Sequence, residues 1–513
     1  MRIVIACSSI SDFYTTPHRL SGLGAKICGE SLAKCGHEVT LLNFPATGIA
    51  QTVPLPAELG YLKPFILSGE TGSFSFFTSF KRWGPDSQKC AALILESSPE
   101  LVCISLFAFA YAQDAISLAR ALRSLSPRAR IAAGGAGVSA WPEYFQKSGV
   151  FDWVIAGEGE EILPRLVQLI ESGNLGLARD KGSLAQMKMP LQPAMIAGDS
   201  VPVIMAPTTI LSSRRFYSVS VARGCPRRCR FCTNYIVHGR RFRKSPIQAV
   251  RAALVSLTNK RGTAGNSVHF NFEDDNLLVD PEYFISILEL YKEYFPGASF
   301  SAENGLDYML LTSELVTQLA GFGFTQLNLS LASISEDLLQ KQGRGLSLPH
   351  FEEIVTQAVR LGLPVIAYLI AGFSEDTPES IAAALAYLAG QPVRIGISPF
   401  YAVPGLPGFD HERFDGLSPR LCLGSAMYPW NNSLSTQMFV TAFRLARLVN
   451  CMKEMDNSSN TKGVKDPLVK EIIARSFTEK QIFTILKEKK KRIIRKVEGL
   501  DPVLLEAFFR EVK

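Results

Sequence analysis

Hydrophobic and polar positions follow two rhythms along the first third of this chain. Apolar or β-branched runs at residues 2–7, 38–42, 101–106, 130–133 and 153–156 are separated by stretches with helical spacing near 20–34, 88–96 and 111–125. Gly36 ends the first of these helices. Strands alternating with helices predict a doubly wound, flavodoxin- or Rossmann-like α/β sheet over residues 1–173, broken by an irregular, aromatic-rich insertion at 44–83. Two strand ends run into glycine, at Gly134-Gly135 and at Gly157-Glu158-Gly159. Ligands of such sheets lie beyond the carboxyl ends of the strands, although glycines there also serve simply to close tight turns.

The periodicity fails over residues 174–215, where small and proline residues recur, and this stretch reads as a linker. It then resumes with strands at 217–222, 268–272, 299–302, 327–331, 364–370 and 394–398, each followed by a helical stretch or turn. Such β-α units predict an open parallel (β/α)6 barrel over residues 216–412 with its active groups at the strand carboxyl ends. Polar residues fall there: Glu273-Asp274-Asp275-Asn276, Glu303-Asn304 and Ser330. Residues 413–513 read as a helical region, with Phe439, Phe443, Leu445 and Leu448 as core positions of one helix. A later helix near 482–497 is apolar on one side and strongly basic on the other, which is a solvated face or, more sharply, a contact for an anionic membrane surface.

At 513 residues the chain exceeds what one core holds. No apolar run spans a bilayer, and the first residues lack the pattern of a signal peptide, so a cytoplasmic location is expected. Ten scattered cysteines argue for reduced thiols, and a net charge of +7 spread over this length calls for no nucleic-acid partner.

One segment changes the picture. Residues 224–235 read G-C-P-R-R-C-R-F-C-T-N-Y and gather Cys225, Cys229 and Cys232. Thiolates in one short loop select zinc or an iron–sulfur cluster. Structural zinc wants four closed ligands, and the fourth candidate here is His238. A cluster on three cysteines keeps one iron open for a small molecule.

Cys-x3-Cys-x2-Cys, with Phe231 before the last thiol, resembles the signature of radical S-adenosylmethionine (SAM) enzymes. That resemblance implies a [4Fe-4S] cluster on Cys225, Cys229 and Cys232, with SAM on the fourth iron and cleaved to a 5′-deoxyadenosyl radical. It implies SAM contacts from Phe231, Asp274, Asp275, Glu303, Asn304, Ser330, Arg344 and Gly372, and an electron donor such as a flavodoxin or ferredoxin. The segments P-E-L-V-C-I-S-L-F, G-G-A-G-V-S-A and F-D-W-V-I-A-G-E-G-E-E are similar to the cobalamin-binding domain that precedes some members. They imply a corrinoid over Phe107, Gly134, Gly135, Val138, Gly157 and Glu158. The histidine motif that replaces the lower axial base in other cobalamin domains is missing around His18, so no histidine on cobalt is expected. Together these features imply cobalamin-dependent methylation of an unactivated carbon in a small-molecule or lipid substrate. The alternatives are radical cyclisation, rearrangement or oxidation, and, from another class, a zinc-containing nucleic-acid-binding or RNA-modifying protein.

Overall fold

A computed structural model describes residues 1–15, 20–66, 79–173, 201–211, 214–259, 268–453 and 500–511. The first domain is built on a parallel sheet of five strands, in the spatial order Glu38–Asn43, Arg2–Cys7, Leu101–Ser105, Ile131–Gly134, Trp153–Val154. Both faces are covered, which is why these strands are near-continuous in Val, Ile, Leu and Ala. Helices Leu23–Lys34 and Gly159–Glu171 cover one face around Ile3, Ile5 and Val167, while Ser87–Leu95 and Ala112–Leu125 cover the other around Val4, Cys90 and Leu118. The strand order reverses between Arg2–Cys7 and Leu101–Ser105, and that switch point opens a crevice at the carboxyl ends.

The insertion is more regular than its sequence suggests. Ile10–Asp12, Lys81–Trp83 and Ala50–Thr52 form a small antiparallel sheet, and Ala57–Phe65 winds as a 3-10 helix. Residues 67–78 of the insertion lie outside the described residues, as do His18 and the basic helix near 482–497.

Six parallel strands form the open barrel in two curved sheets. Arg214–Ser220, Val268–Phe272 and Ser299–Ser301 make one, and Leu327–Ala332, Val365–Ala371 and Arg394–Pro399 the other. Isolated parallel bridges, Phe300 to Phe324 and Leu306 to Leu329, join them. Side-chain caps start the outer helices, as at Asp280, Thr312, Ser347 and Thr377. In the stretch read as a linker, Ile204–Leu211 pairs antiparallel with Arg214–Ser220 and closes that edge of the barrel sheet. At the far edge, the Asn450 side chain bonds both the N–H and the C=O of Ile395, satisfying strand groups that would otherwise stay open. Asn450 lies on helix Thr436–Lys453, which carries Phe439, Leu445 and Leu448 into the core; a last helix, Pro502–Glu511, lies on Pro378–Gly390. No helix among the described residues is long and apolar enough to cross a membrane.

Candidate active site

The cysteine loop hangs from a two-stranded ribbon, Ala222–Arg223 paired with Arg243–Lys244. Gly224 opens the loop at φ +83°, and a Cβ there would stand 2.1 Å from the Arg241 carbonyl oxygen, so only glycine fits. Gly343 packs as closely from beneath, since a Cβ there would meet the Arg228 carbonyl at 2.7 Å. Arg230 N–H donates to the Gln342 carbonyl beside it. Cys229 is buried and Cys225 and Cys232 are half-buried. Burial pushes the Cys232 thiol up to about 11 and raises Cys225 as well, so metal binding here would have to displace protons. Among the described residues, no three His, Cys, Asp or Glu side chains are drawn together as a single metal ion requires. The donor set itself, three thiols on one pinned loop, suits an iron–sulfur cluster.

Two acids expected at SAM hold this loop. Asp274 is buried and its Oδ1 accepts from Val221 and Ala222 N–H at 2.7 and 2.5 Å, holding the ribbon entry. Burial pushes its carboxyl up to about 7. Asp275 Oδ2 accepts from Gly224 N–H at 2.7 Å and lies 3.0 Å from His238 Nδ1. Next to them, Asn276 directs its amide N–H at Cys225 Sγ, 3.7 Å away. Asn276 was legible as a polar strand end but not in role, and Gly343 escaped the sequence reading because nothing local marks it; their partners lie far along the chain.

The remaining expected SAM contacts are placed unevenly. Phe231 packs on Phe373. Glu303 is half-buried and Asn304 exposed at the end of the third parallel strand, where Asn304 Nδ2 donates to the Glu273 carbonyl. Arg344 donates to the Ser330 carbonyl and reaches Asp307, which also accepts from Arg227 Nε on the cysteine loop at 2.8 Å. Gly372 is buried, and a Cβ there would strike the Phe439 ring at 2.5 Å, so packing alone demands glycine at this position.

Beyond the switch point of the first sheet lies a cavity of about 800 Å³. Phe107, Gly134, Gly135 and Gly157 line it from the first domain, while Thr233–His238, just after the last thiol, lines it from the barrel. Gly135 has φ +103°, and a Cβ there would stand 2.4 Å from the Leu106 carbonyl, so the neighbouring loop already demands this glycine. Val138 is fully buried in the core, where its side chain offers packing alone. Glu158 borders the cavity but is committed elsewhere: its carboxylate holds Arg243 through both terminal nitrogens at 2.9 and 2.6 Å and Arg223 at 3.2 Å. Arg223 also donates to Glu160. All four side chains are at most 8% exposed, forming a buried clamp between the first domain and the base of the cysteine ribbon. Arg223 and Arg243 are thus paired with glutamates at the base of the cysteine ribbon.

Comparison with known proteins agrees with this division. Residues 219–388 match the Radical SAM superfamily, and residues 83–167 match the B12 binding domain. The open barrel with its three-thiol loop falls within the first match and the doubly wound domain within the second. Among relatives, bacteriochlorophyllide d C-12(1)-methyltransferase of Chlorobaculum tepidum is 28% identical over 201 residues, covering 38% of this chain and 42% of that protein. Hopanoid C-3 methylase of Methylococcus capsulatus is 24% identical over 365 residues, covering 69% and 61%. The chain therefore spans less than two thirds of the length of these relatives. The fold is that of the radical S-adenosylmethionine methyltransferase TsrM from Kitasatospora setae, solved with cobalamin and a [4Fe-4S] cluster; the TM-score is 0.53 at 15% identity, over 79% of this chain and 73% of that one. The chain thus carries a segment similar to the B12 binding domain followed by one similar to the Radical SAM superfamily.

Proposed function

We propose that the chain is a cobalamin-dependent radical SAM methyltransferase acting on an unactivated carbon of a small-molecule or lipid substrate. One observation supports this reading: the strand ends of the B12-type domain and the segment after Cys232 open onto the same cavity, so a corrinoid and a cluster held there would face one volume. Cys225, Cys229 and Cys232 would hold a [4Fe-4S] cluster, and Phe107, Gly134 and Gly157 would face the corrin. When bound, the cluster with SAM supplies hydrogen abstraction, and cobalamin supplies a methyl group.

The chain's own residues supply position. Asp274, Asp275 and Gly343 fix the cysteine loop; Arg344, on Asp307 and the Ser330 carbonyl, stiffens the neighbouring wall; and the Glu158 clamp keeps the two domains in register.

The test is anaerobic reconstitution with iron, sulfide and hydroxocobalamin, followed by desalting and metal analysis. About four irons and one cobalt per chain are expected. Iron without cobalt would overturn the cobalamin reading. Label from SAM carrying an isotopic methyl, recovered in product, separates methylation from rearrangement, cyclisation or oxidation.

A further inference from the structure

The cluster part of that reading, taken without the cobalamin part, gives a task to one side chain beside the thiols. Asn276 follows three acids, Glu273, Asp274 and Asp275, and lies buried with its amide N–H directed at Cys225 Sγ, 3.7 Å away. Its neighbours fix its place. Asp274 holds Val221 and Ala222 N–H, Asp275 holds Gly224 N–H, and Glu273 N–H donates to the Val219 carbonyl at 2.8 Å. Four consecutive residues thus tie one barrel strand end to the run that leads into the thiols. Asn276 is the member that reaches a sulfur.

The contact is directional. A thiolate offers only lone pairs, so it selects the N–H side of the amide. Backbone N–H groups also serve the thiols, Arg227 on Cys225 and Asn234 on Cys232, and any residue but proline would supply those. The Asn276 donor depends on one side chain, and a fourth acid in the run would place a carboxylate against the sulfur instead. N–H donors on cluster sulfurs disperse negative charge. A reduced cluster carries one negative charge more than an oxidised one, so such a donor favours the reduced form and raises the potential.

We propose that Asn276 is a positioning residue that acts through Cys225: its amide raises the reduction potential of the cluster held by the three thiols and so eases entry of one electron. That electron comes from a low-potential one-electron donor. No bond at Asn276 forms or breaks, and no proton moves.

The experiment uses the full chain reconstituted anaerobically with iron and sulfide at pH 8, without SAM, with iron and zinc counted on every sample. Titration with titanium(III) citrate, followed by the electron paramagnetic resonance of the reduced cluster, gives the midpoint potential. Asn276→Leu keeps the volume and removes the donor, whereas Asn276→Asp keeps the shape and adds a charge. At the wild-type midpoint, the ratio of reduced to oxidised cluster should fall about three- to tenfold in the leucine variant, tenfold being ~59 mV for a one-electron couple. It should fall further in the aspartate variant. A merely structural role would put the larger change in leucine, the poorer fit to the native side chain. Should the leucine variant fail to hold iron, the aspartate variant decides alone. An aspartate variant with a potential at or above that of wild type would overturn the proposal. So would a shift that appears only after SAM is added, since it would assign Asn276 to SAM and not to the sulfur. Zinc in place of iron, or no metal on the wild-type chain, would discard the cluster itself, and the metal count separates that failure from this one.

Discussion

At the scale of single residues, the cysteine loop depends on positions that bear no chemistry. Gly224 combines a left-handed backbone with a carbonyl 2.1 Å from where a Cβ would stand. Gly224→Ala must therefore shift the loop, and strain of about 1–3 kcal/mol is the minimum expected. The outcome should be a chain that folds but retains far less iron after reconstitution, measured as iron per chain. Asp274 makes a second prediction. The unfolded chain releases this proton near 3.8, whereas the fold holds it to about 7. The folded state thus binds more protons across that window, so its stability is highest below it and falls as pH rises through it. Asp274→Asn should flatten this dependence, read as urea midpoints of the metal-free protein at pH 5 and pH 8. The three thiols were legible in sequence because they lie within one short loop. The carboxylates that pin the loop were legible as polar strand ends but not in role, since Val221, Ala222 and Gly224 are their partners some fifty residues away.

At the scale of elements, the apolar runs located the parallel strands of both domains to within two residues, except that the first barrel strand begins three residues earlier, at Arg214, because strands buried on both faces leave continuous apolar signatures. It did not find Ile204–Leu211 or the small sheet of the insertion. The strands of the small sheet are only three residues each and Ile204–Leu211 is interrupted by Pro207, so neither offers a run, and their pairing is decided by neighbours distant in sequence. The Gly157 turn, expected to serve a ligand, also carries the glutamates that grip Arg223 and Arg243. Removing one partner of a buried ion pair leaves an uncompensated charge and costs about 3–5 kcal/mol. Glu158→Gln should lower the melting temperature and raise hydrogen exchange in both the 222–225 segment and the 157–163 segment; a rise in only one would mean the clamp does not couple them. A smaller effect is expected at Lys453. Its ammonium donates to the carbonyls of Leu388, Gln391 and Val393, closing the end of helix Pro378–Gly390. Lys453→Met should cost about 1–3 kcal/mol, measured by denaturant unfolding.

At the scale of the whole molecule, domain order was readable from sequence, but the docking of one domain on the other was not, because it rests on contacts such as Glu158 to Arg243 that no local pattern announces. Two cofactor sites on separate domains predict separable losses. Cys225→Ala should abolish formation of 5′-deoxyadenosine from SAM while leaving cobalt content unchanged; a variant that still forms it at the wild-type rate would remove the thiol from the cluster. The floor of the shared cavity has one further consequence. Asp12, on the second strand made, is covered by the Ser425 hydroxyl, contributed by a segment synthesised long after it. A chain truncated before residue 425 would leave that carboxylate with its first-domain donors Tyr111 and Phe13 alone, so the cavity floor is completed only by a segment from the far end of the chain.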